Sequence, residues 1–177
     1  SPGRRGSSPG EQKVATAFNY HPDRKQGAGL DYRTNLYYLQ TDDFGKSWTT
    51  VSGAPAKLPL TTIDNEALVH DYASEGLKVY INDVNFDGKG NPVILYETTK
   101  GWEPGPENGP RQWYTAHWTG SNWSIIPVTT SDNNYDMGSL YVESDGTWRI
   151  IAPTDPGPQA YNTGGSIVMW TSADEGH

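Results

Sequence analysis

The chain has 177 residues, room for one domain or part of a larger one, and its net charge of −8 with a pI near 4.8 argues against a nucleic-acid or anionic-membrane surface. It has no cysteine, which excludes disulfides and thiolate metal sites, and no apolar run approaches the ~20 residues of a membrane span. Seven Trp and eleven Tyr beside three Phe, with 20 Gly and 13 Pro, describe many short strands joined by turns.

The Gly-, Pro- and Ser-rich opening, residues 1–12, reads as a disordered lead-in, and residues 13–177 as a fragment of one domain cut at both ends. Runs rich in Tyr, Val, Ile, Thr and Trp then predict strands at 14–20, 35–41 and 47–51. More follow at 78–86, 92–98, 112–118 and 122–128, and at 139–143, 147–152 and 167–171. On alternation alone, strands this short and numerous suit a propeller, a jelly-roll or a sandwich.

Between the second and third predicted strands lies Thr41-Asp42-Asp43-Phe44-Gly45-Lys46-Ser47-Trp48, and Ser172-Ala173-Asp174-Glu175-Gly176-His177 starts the same pattern again. In it the Asp43 or Asp174 carboxylate accepts backbone N–H bonds inside a tight turn. Gly45 or Gly176 takes a backbone angle that other residues resist, and Trp48 packs under a neighbouring strand. Residues 117–123 read as a decayed copy that kept its Gly and Trp.

Candidate chemistry sits in the loops. The one after the first strand carries Tyr20 and His21 and ends in Asp31 and Arg33, types suited to acid–base work with a charge-stabilising cation. Its plainer reading is a surface ion pair beside a solvated His. The loop 99–111 is stiffened by Pro104, Pro106 and Pro110 and offers Trp102 and Arg111 to a sugar ring, unless Trp102 merely covers an edge. Tyr135 and Asp136 pair with Tyr161 and Asn162 of a later loop; turn-shaping explains the Asn and Asp residues there but not the tyrosines. His70 is a further candidate, while His117 ranks lower because its strand runs towards the tight turns. Residues 83–88 imitate the start of an EF-hand loop, but the twelfth position is Ile94, so they read as a hairpin. Asn122-Trp123-Ser124 is a glycosylation sequon inside a turn. No metal-ligand spacing and no Ser-His-Asp arrangement stands out, and no cofactor is expected.

The 41–48 motif matches the Asp-box, Ser/Thr-x-Asp-x-Gly-x-Ser/Thr-Trp, with Thr41, Asp43, Gly45, Ser47 and Trp48 at its fixed positions and Ser172, Asp174 and Gly176 in the partial copy. With Phe18-Asn-Tyr-His21, Asp31-Tyr-Arg33, Gly138-Ser-Leu-Tyr141, Trp148-Arg-Ile-Ile-Ala-Pro-Thr154 and Gly157-Pro-Gln159, the chain resembles the BNR-repeat, sialidase-like β-propeller family of bacterial secreted or periplasmic proteins. The resemblance implies an all-β fold, a partial β-propeller of about two and a half four-stranded antiparallel blades. Blade one would span 13–53, blade two 77–129 and blade three 135–177, with the missing blades elsewhere in the same propeller. The family's box joins a blade's third strand to its outer fourth. Tight turns then gather on one face, and the long loops 21–34, 54–76, 99–111, 129–136 and 154–165 gather on the other, where binding and catalysis normally sit.

The Phe/Tyr-Arg-Ile-Pro motif and three spaced arginines of true sialidases are not identifiable here, and the chain looks more like the propeller polysaccharide lyases of the ulvan-lyase kind. That resemblance implies β-elimination on an acidic polysaccharide, with His21, Arg33 and Tyr135 catalytic. Tyr20, Asp31, His70, Trp102, Arg111, Asp136, Tyr161 and Asn162 would bind substrate. A hydrolase using Asp31 and Asp136, which would need to lie about 5–10 Å apart, and a non-catalytic glycan-binding propeller remain open.

Overall fold

The computed structural model of the chain describes residues 13–22, 31–133 and 135–177; the expected lead-in 1–12 and the middle of the first long loop lie outside them. Among the described residues, ten strands form three antiparallel sheets. The first holds Val14–Tyr20 (β1), Thr34–Thr41 (β2) and Leu68–His70 (β3), in that order. The second is a meander of Lys78–Phe86 (β4), Pro92–Thr99 (β5), Arg111–Trp118 (β6) and Trp123–Ser131 (β7). The third holds Ser139–Val142 (β8), Trp148–Pro153 (β9) and Ile167–Ser172 (β10), with β9 central.

β5 shows why the sheets stack: all eight of its residues are buried. Ile94 and Tyr96 join a cluster with Leu36, Tyr38 and Tyr72 of the first sheet and its following turn. Val93 and Leu95 pack instead with Trp113 and with Leu140, Trp148 and Ile150 of the third sheet. Side chains alternate faces along a strand, and burying each large apolar one contributes about 1.5–3 kcal/mol. The second sheet is therefore held between the other two.

Polar bonds fix its register against the third sheet. Leu140 N donates to Asp83 Oδ2 at 2.8 Å, Gly138 N to Asn82 Oδ1 at 3.0 Å, and Asn85 Nδ2 to Leu140 O at 3.0 Å. Gly138 is required by space, because a Cβ there would lie 2.5 Å from the Trp113 ring.

The turn at 41–48 has the expected hydrogen bonding. Ser47 donates to Asp43 through its N–H at 2.9 Å and its hydroxyl at 2.7 Å, Thr41 Oγ1 donates at 2.8 Å, and Gly45 N donates back to Thr41 Oγ1 at 2.9 Å. The second copy repeats the last two, with Ser172 Oγ to Asp174 at 2.8 Å and Gly176 N to Ser172 Oγ at 2.8 Å. Gly45 and Gly176 both take positive φ, 84° and 103°.

One predicted strand is corrected. Residues 47–51 form only isolated bridges, Thr49 to Gln40 and to Pro55, and the first sheet's outer strand is β3, inside what reads as a long loop. The reason is local: Thr50 N donates to Ala54 O across a turn at Gly53, whose φ is 85°, so the run folds back before it can extend. Residues 83–91 are the hairpin expected, with Asp87 Oδ1 accepting from Lys89 N and Asn91 N at 2.8 Å each.

Candidate functional site at the long-loop end

Strand register sorts the connections into two ends. Tyr20 lies opposite Thr34, Lys78 opposite Thr99, and Arg111 opposite Ser131, so these positions share one end, from which the long connections leave. The turns at 87–91 and 143–147 close the other end.

On the first sheet's side, Arg33 pairs with Asp31 at 3.2 Å, both side chains about one-third exposed, at 37% and 34%. Tyr80 of β4 holds both residues. Its ring lies 5.4 Å from the Arg33 guanidinium carbon, and its hydroxyl donates to Asp31 O at 2.9 Å. Burial pushes the Tyr80 hydroxyl up to about 12, so it stays a donor. Val79 N donates to Arg33 O at 3.0 Å, tying the segment to β4, and Lys78 Nζ sits 4.2 Å from the Tyr32 ring centre. His21 is exposed and follows Tyr20, the partner of Thr34, so it stands at the same sheet edge as Arg33. Beside Arg33, a groove of about 170 Å³ between β1 and β4 is lined by Asn19, Asn82, Asp83 and Met137.

At the centre, the sequence expectation that Arg111 is offered to a sugar ring needs correction: it is fully buried. As the first residue of β6 it shares the parity of Trp113 and faces the third sheet. Its guanidinium donates to Thr99 Oγ1 and to the carbonyls of Glu103 at 2.8 Å and Gly105 at 2.9 Å, fastening the 99–111 loop from inside. Glu97 lies opposite Trp113, is also fully buried, and neither of its carboxylate oxygens has a hydrogen-bond partner; the same is true of Arg111 Nε. Burial holds the Glu97 carboxyl well above its usual range; Arg111 opposes this and Asp136 adds to it.

On the third sheet's side, Asp136 is 1% exposed and both its oxygens lack partners. Burial, helped by Asp132, pushes it up to about 7. Its neighbour Tyr135 is 45% exposed and packs edge-on against Tyr161, itself 58% exposed, with ring centres 6.1 Å apart. Tyr161 has φ of 60° and its carbonyl accepts from Asn133 Nδ2, while Asn162 Nδ2 donates to Asp132 Oδ2 at 2.9 Å. The Trp102 loop meets this group, since a Cβ on Gly105 would lie 3.5 Å from Tyr161 Cβ. Trp102 itself is half-buried.

One end of the sheets thus carries Tyr20, His21, Asp31, Arg33, Trp102, Arg111, Tyr135, Asp136, Tyr161 and Asn162. His70 stands apart on the outer strand β3, bonded to Glu75 at 2.5 Å and packed on Tyr72. His117 lies near the tight turns, buried, with Nε2 3.0 Å from Asp87 Oδ2. Tyr80, Glu97 and Asp132 join the site without having stood out in the sequence. Among the described residues no cluster of His, Cys, Asp or Glu could hold a metal ion.

Comparison with known proteins gives the setting. The family model of the BNR repeat-containing family matches residues 11–131. Two solved structures of an ulvan lyase of polysaccharide lyase family PL25, one of them bound to -[GlcA(1-4)Rha3S]-, superpose with a TM-score of 0.66 at 18% identity. Each match covers 97% of this chain and 39% of the other, so this chain spans about two fifths of their length. None of the curated proteins matches it. The three sheets are blades of a partial β-propeller.

Proposed function

This chain belongs to the BNR repeat-containing family, and from that premise we propose that it is part of a carbohydrate-active propeller that cleaves an acidic polysaccharide by β-elimination. The observation that carries this reading is the gathering of a cation, titratable groups and exposed aromatics at one end of three stacked sheets. Arg33, held by Tyr80 and Asp31, would neutralise the carboxylate of a uronate residue. The C–H beside that carboxylate then becomes acidic enough for His21 or Tyr135 to take its proton. The electron pair forms a carbon–carbon double bond as the glycosidic oxygen departs from the neighbouring carbon, taking up a proton from water to become a hydroxyl. Tyr20, Trp102, Tyr161 and Asn162 would line the saccharide path, and the Asp-box turns at 41–48 and 172–176 would serve as scaffold. Further blades of the same propeller would complete the site, in a secreted or periplasmic protein.

Burial counts against the hydrolase alternative, because Asp136 at 1% exposure cannot flank a bond as one of two working carboxylates. The exposed Tyr135–Tyr161 pair, a natural sugar-stacking surface, favours glycan binding without catalysis as the second reading. Incubation with a uronate-containing polysaccharide should yield an ultraviolet-absorbing unsaturated product, lost in His21→Ala. Reducing ends without that absorbance would mark a hydrolase, and binding with neither signal a lectin-like module.

A further inference from the structure

Beneath the long-loop face lies a cluster whose groups do not satisfy one another. Glu97 and Asp136 are buried with both oxygens of each unpartnered, Asp132 Oδ1 is unpartnered, and Arg111, buried among them, leaves its Nε unused. Buried polar groups are normally paired, and an ionised carboxylate in such a place carries a heavy desolvation cost. A proton removes that cost.

The cluster is continuous with the groups above it. Tyr80 of β4 lies within the electrostatic reach of Arg111, Asp31, Arg33 and Glu97. Asp132 from the β7–β8 connection acts on Asp136, and Glu103 of the 99–111 loop acts on Arg111. With every group ionised, Arg33, Lys78 and Arg111 are outnumbered by Asp31, Glu97, Glu103, Asp132 and Asp136. With Glu97 and Asp136 neutral, two of those negative charges are gone. Two protons therefore change the charge that this end of a chain with net charge −8 presents to an anion.

We propose that Glu97, Asp136 and Arg111 form an acid switch under the long-loop face: it admits an anionic, uronate-bearing polysaccharide while the two acids hold their protons and weakens its binding once they release them. As a regulator of that site the switch rests on the polysaccharide reading above. It acts through charge rather than contact, since both acids are buried beneath the face.

The full chain should be titrated with polyglucuronate and with its carboxyl-reduced, neutral derivative across about pH 5 to 8. Expected is a steady loss of polyglucuronate affinity as pH rises. Glu97→Gln or Asp136→Asn, each permanently neutral, should flatten that loss and bind on the order of tenfold tighter at the alkaline end, about 1.4 kcal/mol. The neutral derivative should show no such trend. Infrared spectra near neutral pH should carry the carbonyl stretch of protonated carboxyl groups, diminished in each variant. Asp136→Asn, which keeps the side chain's shape, serves if Glu97→Gln does not fold. A flat affinity profile for the natural chain, or the absence of the protonated-carboxyl band, would overturn the switch and leave the polysaccharide reading standing. Failure of both polymers to bind at any pH would overturn that reading and the switch with it.

Discussion

At the tight-turn end Asp43, Asp87 and Asp145 each sit among donors, whereas at the long-loop end Glu97 and Asp136 face none. The consequences run in opposite directions. Bonds from Ser47 and Thr41 hold Asp43 well below the usual carboxylate range, and Thr147 lowers Asp145. Burial acts to raise Asp87, but His117, Asn91 and Lys89 together keep it low. Glu97 and Asp136 are pushed up, chiefly by burial. Carboxylates whose lone pairs are all used shape turns. Carboxylates buried with lone pairs unused retain chemistry to perform.

The sharpest test of that contrast is Arg111→Ala. It removes the buried cation from beside the unpartnered Glu97 and releases two loop carbonyls. Denaturant unfolding should show a loss of about 3–5 kcal/mol, the scale of an uncompensated buried charge. A loss comparable to that of a surface arginine would mean that the cluster is solvated and the contrast false.

Asp136→Asn comes next, and its sign depends on pH. A carboxyl whose folded pKa is raised to about 7 contributes stability below its unfolded value and loses it as pH climbs through the folded one. The variant should match the natural chain below about pH 4 and exceed it by on the order of 2–4 kcal/mol near pH 9, read from melts at both pH values. Equal stability at high pH would place Asp136 among the ordinary carboxylates.

The smallest effect belongs to Asp43→Ala at the opposite end. Loss of the turn's bonds should lower Tm by a few degrees at neutral pH, with turnover per folded molecule unchanged. Because Asp43 is depressed in the folded state, its contribution exists above the unfolded pKa and fades as acid protonates it. The gap between the two proteins should therefore close at low pH; a gap that persists in acid would mean that its carboxylate bonds are not what stabilises the turn.

Much of this architecture was legible in the residues. Alternating Tyr, Val, Ile and Thr located nearly every strand to within a residue or two, and the spacing of Thr41, Asp43, Gly45 and Ser47 encodes a turn that closes on itself. Such signals are local. The chemistry of the other end is not. Glu97 in a run of Pro92–Thr99 looks like a solvent-facing position until a second sheet covers that face. Arg111 looks like a loop cation offered to ligand, because nothing local reveals that Glu103 and Gly105 turn their carbonyls inward to meet it. The 47–51 run failed for the reverse reason: its strand-like composition was overruled by a turn at Gly53.

Gly138 gives the missing atom a consequence beyond packing. The bare Cα against the Trp113 ring sets the gap between two blades, and Asp136 hangs on the same short segment two residues earlier. A single methyl at that position would act as a shim. It would wedge the blades apart at a point remote from solvent and tilt the neighbouring acid relative to Glu97, altering the electrostatics of the face without replacing any charged group.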